Sequence, residues 1–191
     1  MADTYIKYID RSIASAFTDL YIVPDYQREY VWNDVQVEQL LSDLMEAFEA
    51  DNKKAYFLGT IVTFDEGTRF ELIDGQQRLT TFFILLCAIK HIYAYNNEKA
   101  GAIEKLIYSE VMNDNGDTVS QYHLQLQYED AGNCLELIEK GESKPSNITQ
   151  SGERLFNAFN IITNSLSDKF SNFAELKKFV VFLLNKTSFI S

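Results

Sequence analysis

The stretch from Arg69 to Tyr95 constrains the fold more than any other part of the chain. Arg69 to Ile73 (RFELI) alternates as a strand, Asp74-Gly75 breaks it, and a helix follows at once to about Tyr95. Leu79, Phe82, Phe83, Leu86, Ile89 and Tyr93 make its main apolar face, and Leu85 and Ile92 add apolar surface elsewhere. A helix apolar on more than one side has to be covered on more than one side, so it belongs at the centre of the fold. A strand that ends in such a helix predicts an α+β domain.

The flanking sequence fits that frame. Residues 56–64 (YFLGTIVTF) read as one strand, rich in β-branched and aromatic types, which pairs through the Asp65-Glu66-Gly67-Thr68 turn with Arg69–Ile73 as a hairpin. Residues 10–20 fit a short helix with Ile13, Phe17 and Leu20 on one face, and Leu20–Val23 a strand stopped by Pro24. Asn33, with Gln36 three residues on, predicts a capped helix to about residue 49 through Val37, Leu40, Leu41, Leu44 and Phe48. The second half reads as mainly helical, with helices at 102–111, 129–140, 150–166 and 172–184 and a short strand at 119–127. Gly141–Asn147 reads as a linker. We divide the chain into a core over residues 1–100 and a helical extension over 101–191. The last residues, Lys186–Ser191, look like the beginning of a strand, which predicts that the polypeptide is part of a longer protein.

Composition excludes several classes. Apolar residues make up 46% of the 191, which is ample for a buried core and unlike a disordered chain. The formal net charge of −11 argues against tight non-specific DNA binding by this segment alone, because that needs many phosphates neutralised by Lys or Arg. Cys87 and Cys134 form no CxxC pair, so neither a zinc knuckle nor a disulfide framework is indicated. The amino terminus is not a signal peptide, and no apolar run reaches the roughly 18 residues that span a bilayer. A cytoplasmic location is expected.

Two segments carry chemistry. In Asp74-Gly75-Gln76-Gln77-Arg78-Leu79-Thr80-Thr81 the amide groups of Gly75, Gln76 and Gln77 lie at a helix start, where unpaired N–H groups and the helix dipole favour an anion. Arg78 can grip phosphate with two hydrogen bonds, and Asp74 can hold Mg2+ or orient a water. The competing reading is that Asp74 caps the helix, Gln77 completes a capping box and Arg78 pairs with a carboxylate. In Pro24-Asp25-Tyr26-Gln27-Arg28-Glu29-Tyr30-Val31-Trp32, Tyr30 and Trp32 read as core aromatics. Gln27 and Arg28 are polar groups among large apolar ones, and Tyr26 is suited to stack on a base.

Taken in order, Pro24-x-Tyr26-Gln27-Arg28-x-Tyr30-x-Trp32, Tyr56–Val62 and Asp74–Thr81 resemble the amino-terminal domain of GmrSD-type restriction endonucleases, a domain also found in phosphorothioate-sensing restriction proteins. The clearest motifs lie between residues 22 and 95. The resemblance implies a ParB/sulfiredoxin-like core of a small mixed sheet with helices, followed by a mainly helical second half. It also implies a pocket between the two motifs that takes a nucleoside triphosphate with Mg2+. Catalytic roles fall on Asp74, Gln77 and Arg78. Nucleotide and phosphate contacts fall on Tyr26, Gln27, Arg28, Gly75, Gln76, Gln77, Arg78, Thr80 and Thr81, and Asp74 is the metal ligand. The implied function is a nucleotide-binding, NTP-hydrolysing regulatory domain of a modification-dependent restriction and anti-phage defence protein. Its partners are a nucleotide, DNA in the full-length protein and a carboxy-terminal HNH-type nuclease domain, with oligomers left open. His91 and His123, the two histidines, are far apart in sequence, so the chain is not expected to cut DNA itself. The alternatives are a non-catalytic DNA-binding or modification-sensing module, and a platform whose motif residues only hold the fold.

Overall fold

The computed structural model describes residues 8–51, 55–128 and 131–191, with the side chains of 51, 131 and 132 outside that description. The expected central helix is α3 (Gln76–Tyr95). Every residue from Leu79 to Ile89 is buried, and Lys90 to Tyr93 are half-buried. Helices α4 (Gly101–Ile107), α5 (Ala131–Lys140) and α6 (Gln150–Lys169) pack directly on it. Each fully buried Leu, Ile or Phe side chain in such a position contributes about 1.5–3 kcal/mol.

The strands form three small sheets. β1 (Asp10–Ser12), β9 (Thr187–Ile190) and β3 (Tyr56–Thr60) make the first, with β9 between the other two. β4 (Val62–Asp65), β5 (Phe70–Asp74), β2 (Tyr21–Val23) and β8 (Leu124–Leu126) make the second, in that order. It is a mixed sheet: β4 and β5 are antiparallel, while β2 runs parallel to both β5 and β8. β6 (Tyr108–Met112) and β7 (Thr118–Tyr122) form a separate hairpin. Small sheets with segregated helices make this an α+β fold, and one hydrophobic cluster runs from Ile13 to Phe189.

Helix α2 (Asp34–Asp51) begins as its sequence predicts. Asn33 Oδ1 accepts from the Val35 amide at 3.0 Å, and Gln36 Oε1 accepts from the Asn33 amide at 2.9 Å. Thr149 and Asn172 cap α6 and α7 (Phe173–Lys186) through their side-chain oxygens. Phe48 of α2 meets Phe170, Phe179 and Phe182 at ring separations of 5.5–6.2 Å, which fixes α2 against the carboxy-terminal helices.

Four sequence expectations change. The helix expected over 10–20 is a single turn, α1 (Ile13–Ala16), preceded by β1, because Ser12 caps it and the chain then turns into β2. The single strand expected over 56–64 is two strands in different sheets. The chain leaves one sheet after Thr60 and enters the other at Val62, with Gly59 at φ +109° and a register shift between Phe57 and Thr60. The helix expected over 102–111 stops at Ile107 and continues as β6. The strand expected over 119–127 breaks at His123, whose side chain turns inward between β7 and β8. The expected helix over 129–140 is present as α5, with residues 129–130 outside the described residues.

Candidate functional site

The two motif segments are joined by hydrogen bonds, and the joining residues come from elements far apart in sequence. Gly75 ends β5 and precedes α3 at φ +89°, the left-handed region that glycine enters without steric cost. A Cβ added there would lie 2.7 Å from Ile61 Cγ2 and 3.2 Å from Ile61 Cα, so the turn also requires the absence of a side chain. Among the described residues, neither the Asp74 carboxylate nor any other side chain bonds the first-turn amides. The first intrahelical bond is from the Leu79 amide to the Gly75 carbonyl at 3.0 Å, so the amides of Gln76, Gln77 and Arg78 have no acceptor within the helix.

Gln77 is 5% exposed, and both ends of its amide are engaged. Its Oε1 accepts from the Val31 amide at 2.7 Å, and its Nε2 donates to the Glu29 carbonyl at 2.9 Å. This replaces the capping-box role that the spacing suggested. Gln76 Nε2 donates to Gln27 Oε1 at 3.4 Å, and Gln27 Nε2 donates to the Ile73 carbonyl at 3.3 Å. One turn deeper, Thr81 donates to the Gln77 carbonyl at 2.8 Å, which leaves its oxygen to accept from the Tyr30 hydroxyl at 2.8 Å. Burial pushes the Tyr30 phenol well above its ordinary value, so it stays a neutral donor. The Tyr30 amide in turn donates to Ser151 Oγ of α6 at 3.1 Å. Tyr30→Phe removes one buried hydroxyl bond and is expected to cost about 1 kcal/mol, read as a thermal midpoint lower by roughly 2–4 °C.

The charged members of the motifs face outward. Asp74 and Arg28 are exposed. Among the described residues, neither side chain makes a hydrogen bond or ion pair. Arg78 is half-buried. Its guanidinium lies over Gly59, where an added Cβ would come within 2.6 Å of Nη1, and it donates to the Thr60 carbonyl at 3.3 Å. Tyr26 is 68% exposed, with its hydroxyl donating to the Glu71 carboxylate. The geometry therefore gathers Asp74, Gly75, Gln76, Arg78, Gln27 and the Gln77-held segment into one region. Thr80 and Thr81 are not brought to its surface, since both are buried.

A magnesium ion with a nucleoside triphosphate fits this donor set in a limited way. Among the described residues no three His, Cys, Asp or Glu side chains come together, so there is no all-protein cage. Mg2+ beside phosphates is ordinarily held by one or two carboxylates together with phosphate oxygens and water, and Asp74 supplies one such carboxylate. Concavities of about 400 and 360 Å3 around α5 and α6, and one of about 510 Å3 beside β6 and β7, contain none of the motif residues.

Several contributors were not visible in the sequence. Gly59 and Thr60 stood out as part of a strand and of the Tyr56–Val62 resemblance, not as neighbours of Arg78, and Ser151 and Glu71 carried no motif signal. The glycine inside a β-branched run was the one available clue to a bulge. Among the described residues no helix is long and apolar enough to cross a membrane. No curated protein matches the chain. The family described as GmrSD restriction endonuclease, N-terminal domain, matches residues 7–190. That match takes in both motif segments, the turn between β5 and α3 and the strand β9 that closes the first sheet, and the chain belongs to the GmrSD restriction endonuclease N-terminal domain family.

Proposed function

We propose that the Asp74–Arg78 turn binds the phosphates of a nucleoside triphosphate, and that this domain regulates a modification-dependent DNA restriction protein by binding and hydrolysing that nucleotide. The observation that carries the reading is the uncapped start of α3, with Asp74 exposed just before it, Arg78 in its first turn, and Arg28 on the segment that Gln76 and Gln77 hold. A helix that caps itself satisfies its first amides with its own side chains, whereas here they are left for a ligand. Unbonded N–H groups at a helix start and arginines nearby in the chain act on an anion electrostatically, and phosphoryl transfer depends chiefly on such positioning and charge stabilisation.

In this reading each residue has a role. Gly75 lets a phosphate approach the backbone. Arg78 and Arg28 neutralise charge on its oxygens. Asp74 accepts a proton from the attacking water as oxygen bonds to the terminal phosphorus and the bond to the bridging oxygen breaks. Bound Mg2+ would supply further neutralisation of phosphate charge beside Asp74. Gln77, with both amide ends on backbone groups, positions the Tyr26–Arg28 segment rather than orienting the water. Coupling of this site to a carboxy-terminal nuclease domain and to DNA belongs to the full-length protein.

Arg78→Ala separates this reading from a structural one. Its single 3.3 Å bond to a carbonyl at the surface is worth at most about 1 kcal/mol, so the variant is expected to stay folded. Calorimetry with ATP or GTP, with and without Mg2+, is expected to show affinity reduced on the order of 10-fold or more, the scale of a lost charged phosphate contact. A variant with lowered melting temperature and unchanged nucleotide affinity would contradict the proposal.

A second reading has one observation in its favour. Tyr26, Phe64 on β4 and Ile73 on β5 are exposed apolar side chains, and Arg28 is an exposed cation two residues after Tyr26, a combination suited to bases and a phosphate backbone. DNA gripped in this way would dissociate steeply as salt rises, and gel shifts across a salt series would show it.

A further inference from the structure

The β6–β7 hairpin sets Ser109 opposite Gln121 in register, which brings it beside His123 just past the end of β7. Ser109 Oγ is 2.7 Å from His123 Nε2. His123 Nδ1 lies 2.7 Å from the Phe17 carbonyl and 3.2 Å from the Leu106 carbonyl. Carbonyls only accept, so Nδ1 carries the proton of the neutral ring and Nε2 presents its lone pair to the serine hydroxyl. The imidazole is 6% exposed and held from behind, while Ser109 is exposed. Satisfying two backbone carbonyls accounts for Nδ1. It leaves unexplained why Nε2 should be aimed at an exposed hydroxyl.

Both residues line a concavity of about 510 Å3, shared with Thr18, Thr68 and Arg69, within the size range of small-molecule sites. None of the Asp74–Arg78 turn lines it. A nucleophile bonded to a base, with the base oriented by a third group, is the arrangement that activates serine for covalent catalysis. Arg69 is the cationic side chain in the same lining; its Nε donates to the Glu66 carboxylate, and the role of oxyanion donor falls to its two Nη groups.

We propose that Ser109 and His123 form a second reactive site, independent of the nucleotide turn, that takes small carboxylic esters. The Ser109 oxygen bonds to the ester carbonyl carbon as its proton passes to His123 Nε2. The carbon–alkoxy bond then breaks, and the same proton goes to the departing alcohol. Water, losing its proton to Nε2, releases the acyl group from Ser109 as a carboxylic acid and restores the hydroxyl.

The test is labelling of the intact chain with a fluorophosphonate, followed by peptide mass mapping, together with a stopped-flow burst on p-nitrophenyl acetate. The proposal predicts one adduct per chain on Ser109, none in Ser109→Ala, and labelling slowed on the order of 100-fold in His123→Gln, the scale of a lost general base. If His123→Gln does not fold by circular dichroism, Arg69→Ala carries the test, with the ester burst slowed and the fold retained. Absence of a Ser109 adduct on folded wild-type protein, or labelling of Ser109 no faster than of the exposed Ser120, would overturn it and leave His123 as a structural tie.

Discussion

Gln77→Ala is expected to destabilise the domain by about 2–3 kcal/mol, with a thermal midpoint lower by roughly 5–10 °C. The Gln77 amide satisfies the Val31 N–H at 2.7 Å and the Glu29 carbonyl at 2.9 Å, and truncation leaves both without their partner. An unpaired buried polar group costs about 1–3 kcal/mol, and partial access of water to this segment keeps the sum below the upper limit for two such groups. The segment so released contains Tyr26, Gln27 and Arg28, so nucleotide affinity is expected to fall along with stability. Gln77→Glu separates the two contacts. Its carboxylate still accepts from Val31 but repels the Glu29 carbonyl, so it should recover less than half of the loss. Differential scanning calorimetry checks the pair, and a Gln77→Ala midpoint equal to wild type would return Gln77 to a role in orienting water.

Gly75→Ala is expected to cost about 2–4 kcal/mol. A non-glycine residue in left-handed backbone costs roughly 1–2 kcal/mol, and overpacking against a fixed neighbour adds about 1–3 kcal/mol. The neighbour here is Ile61, whose Cγ2 would lie 2.7 Å from the new Cβ and whose backbone Cα would lie 3.2 Å from it. Gly67 is the internal control. It has φ +89°, as Gly75 does, but an added Cβ there meets nothing within 4 Å. Gly67→Ala therefore reports backbone strain alone, and the difference in urea midpoint between the two variants measures the Ile61 contact. Equal effects would mean that Ile61 yields freely and that the turn is held only by its dihedral angle.

The contrast between Gly75 and Gly59 shows what the sequence conveyed about this fold. Asp74-Gly75 at the end of an alternating strand announced a turn, and the continuous apolar run after it announced a central helix. Both follow from local periodicity, and α3 begins and ends where that periodicity does. Gly59 lies in a run whose composition is that of one uninterrupted strand, and nothing local says that Thr60 and Val62 belong to different sheets. That division depends on β9, more than a hundred residues later, pairing with β3. For the same reason α1 shrank to one turn: β1 owes its existence to β9 as well. In the candidate site, the nearness of Tyr26–Arg28 to Gly75–Arg78 came from the family resemblance. What made it physical, the Gln77 amide on the Glu29 and Val31 backbone, is a contact between segments some 48 residues apart that no spacing rule encodes. Thr80 and Thr81 show the opposite limit. Their hydroxyls look like phosphate ligands in sequence, yet helical rotation carries both into the core.

The most direct test of the nucleotide site is amide chemical-shift mapping of the 15N-labelled chain as ATP or GTP is added with Mg2+. The amides of Gln76, Gln77 and Arg78 are the ones the helix leaves unbonded, so they are expected to shift first and furthest, with the Arg28 and Arg78 side-chain signals following, and in Arg78→Ala the same shifts should need on the order of 10-fold more nucleotide. Saturable shifts confined to other parts of the molecule, with those three amides unmoved, would contradict the assignment of the Asp74–Arg78 turn as the phosphate site.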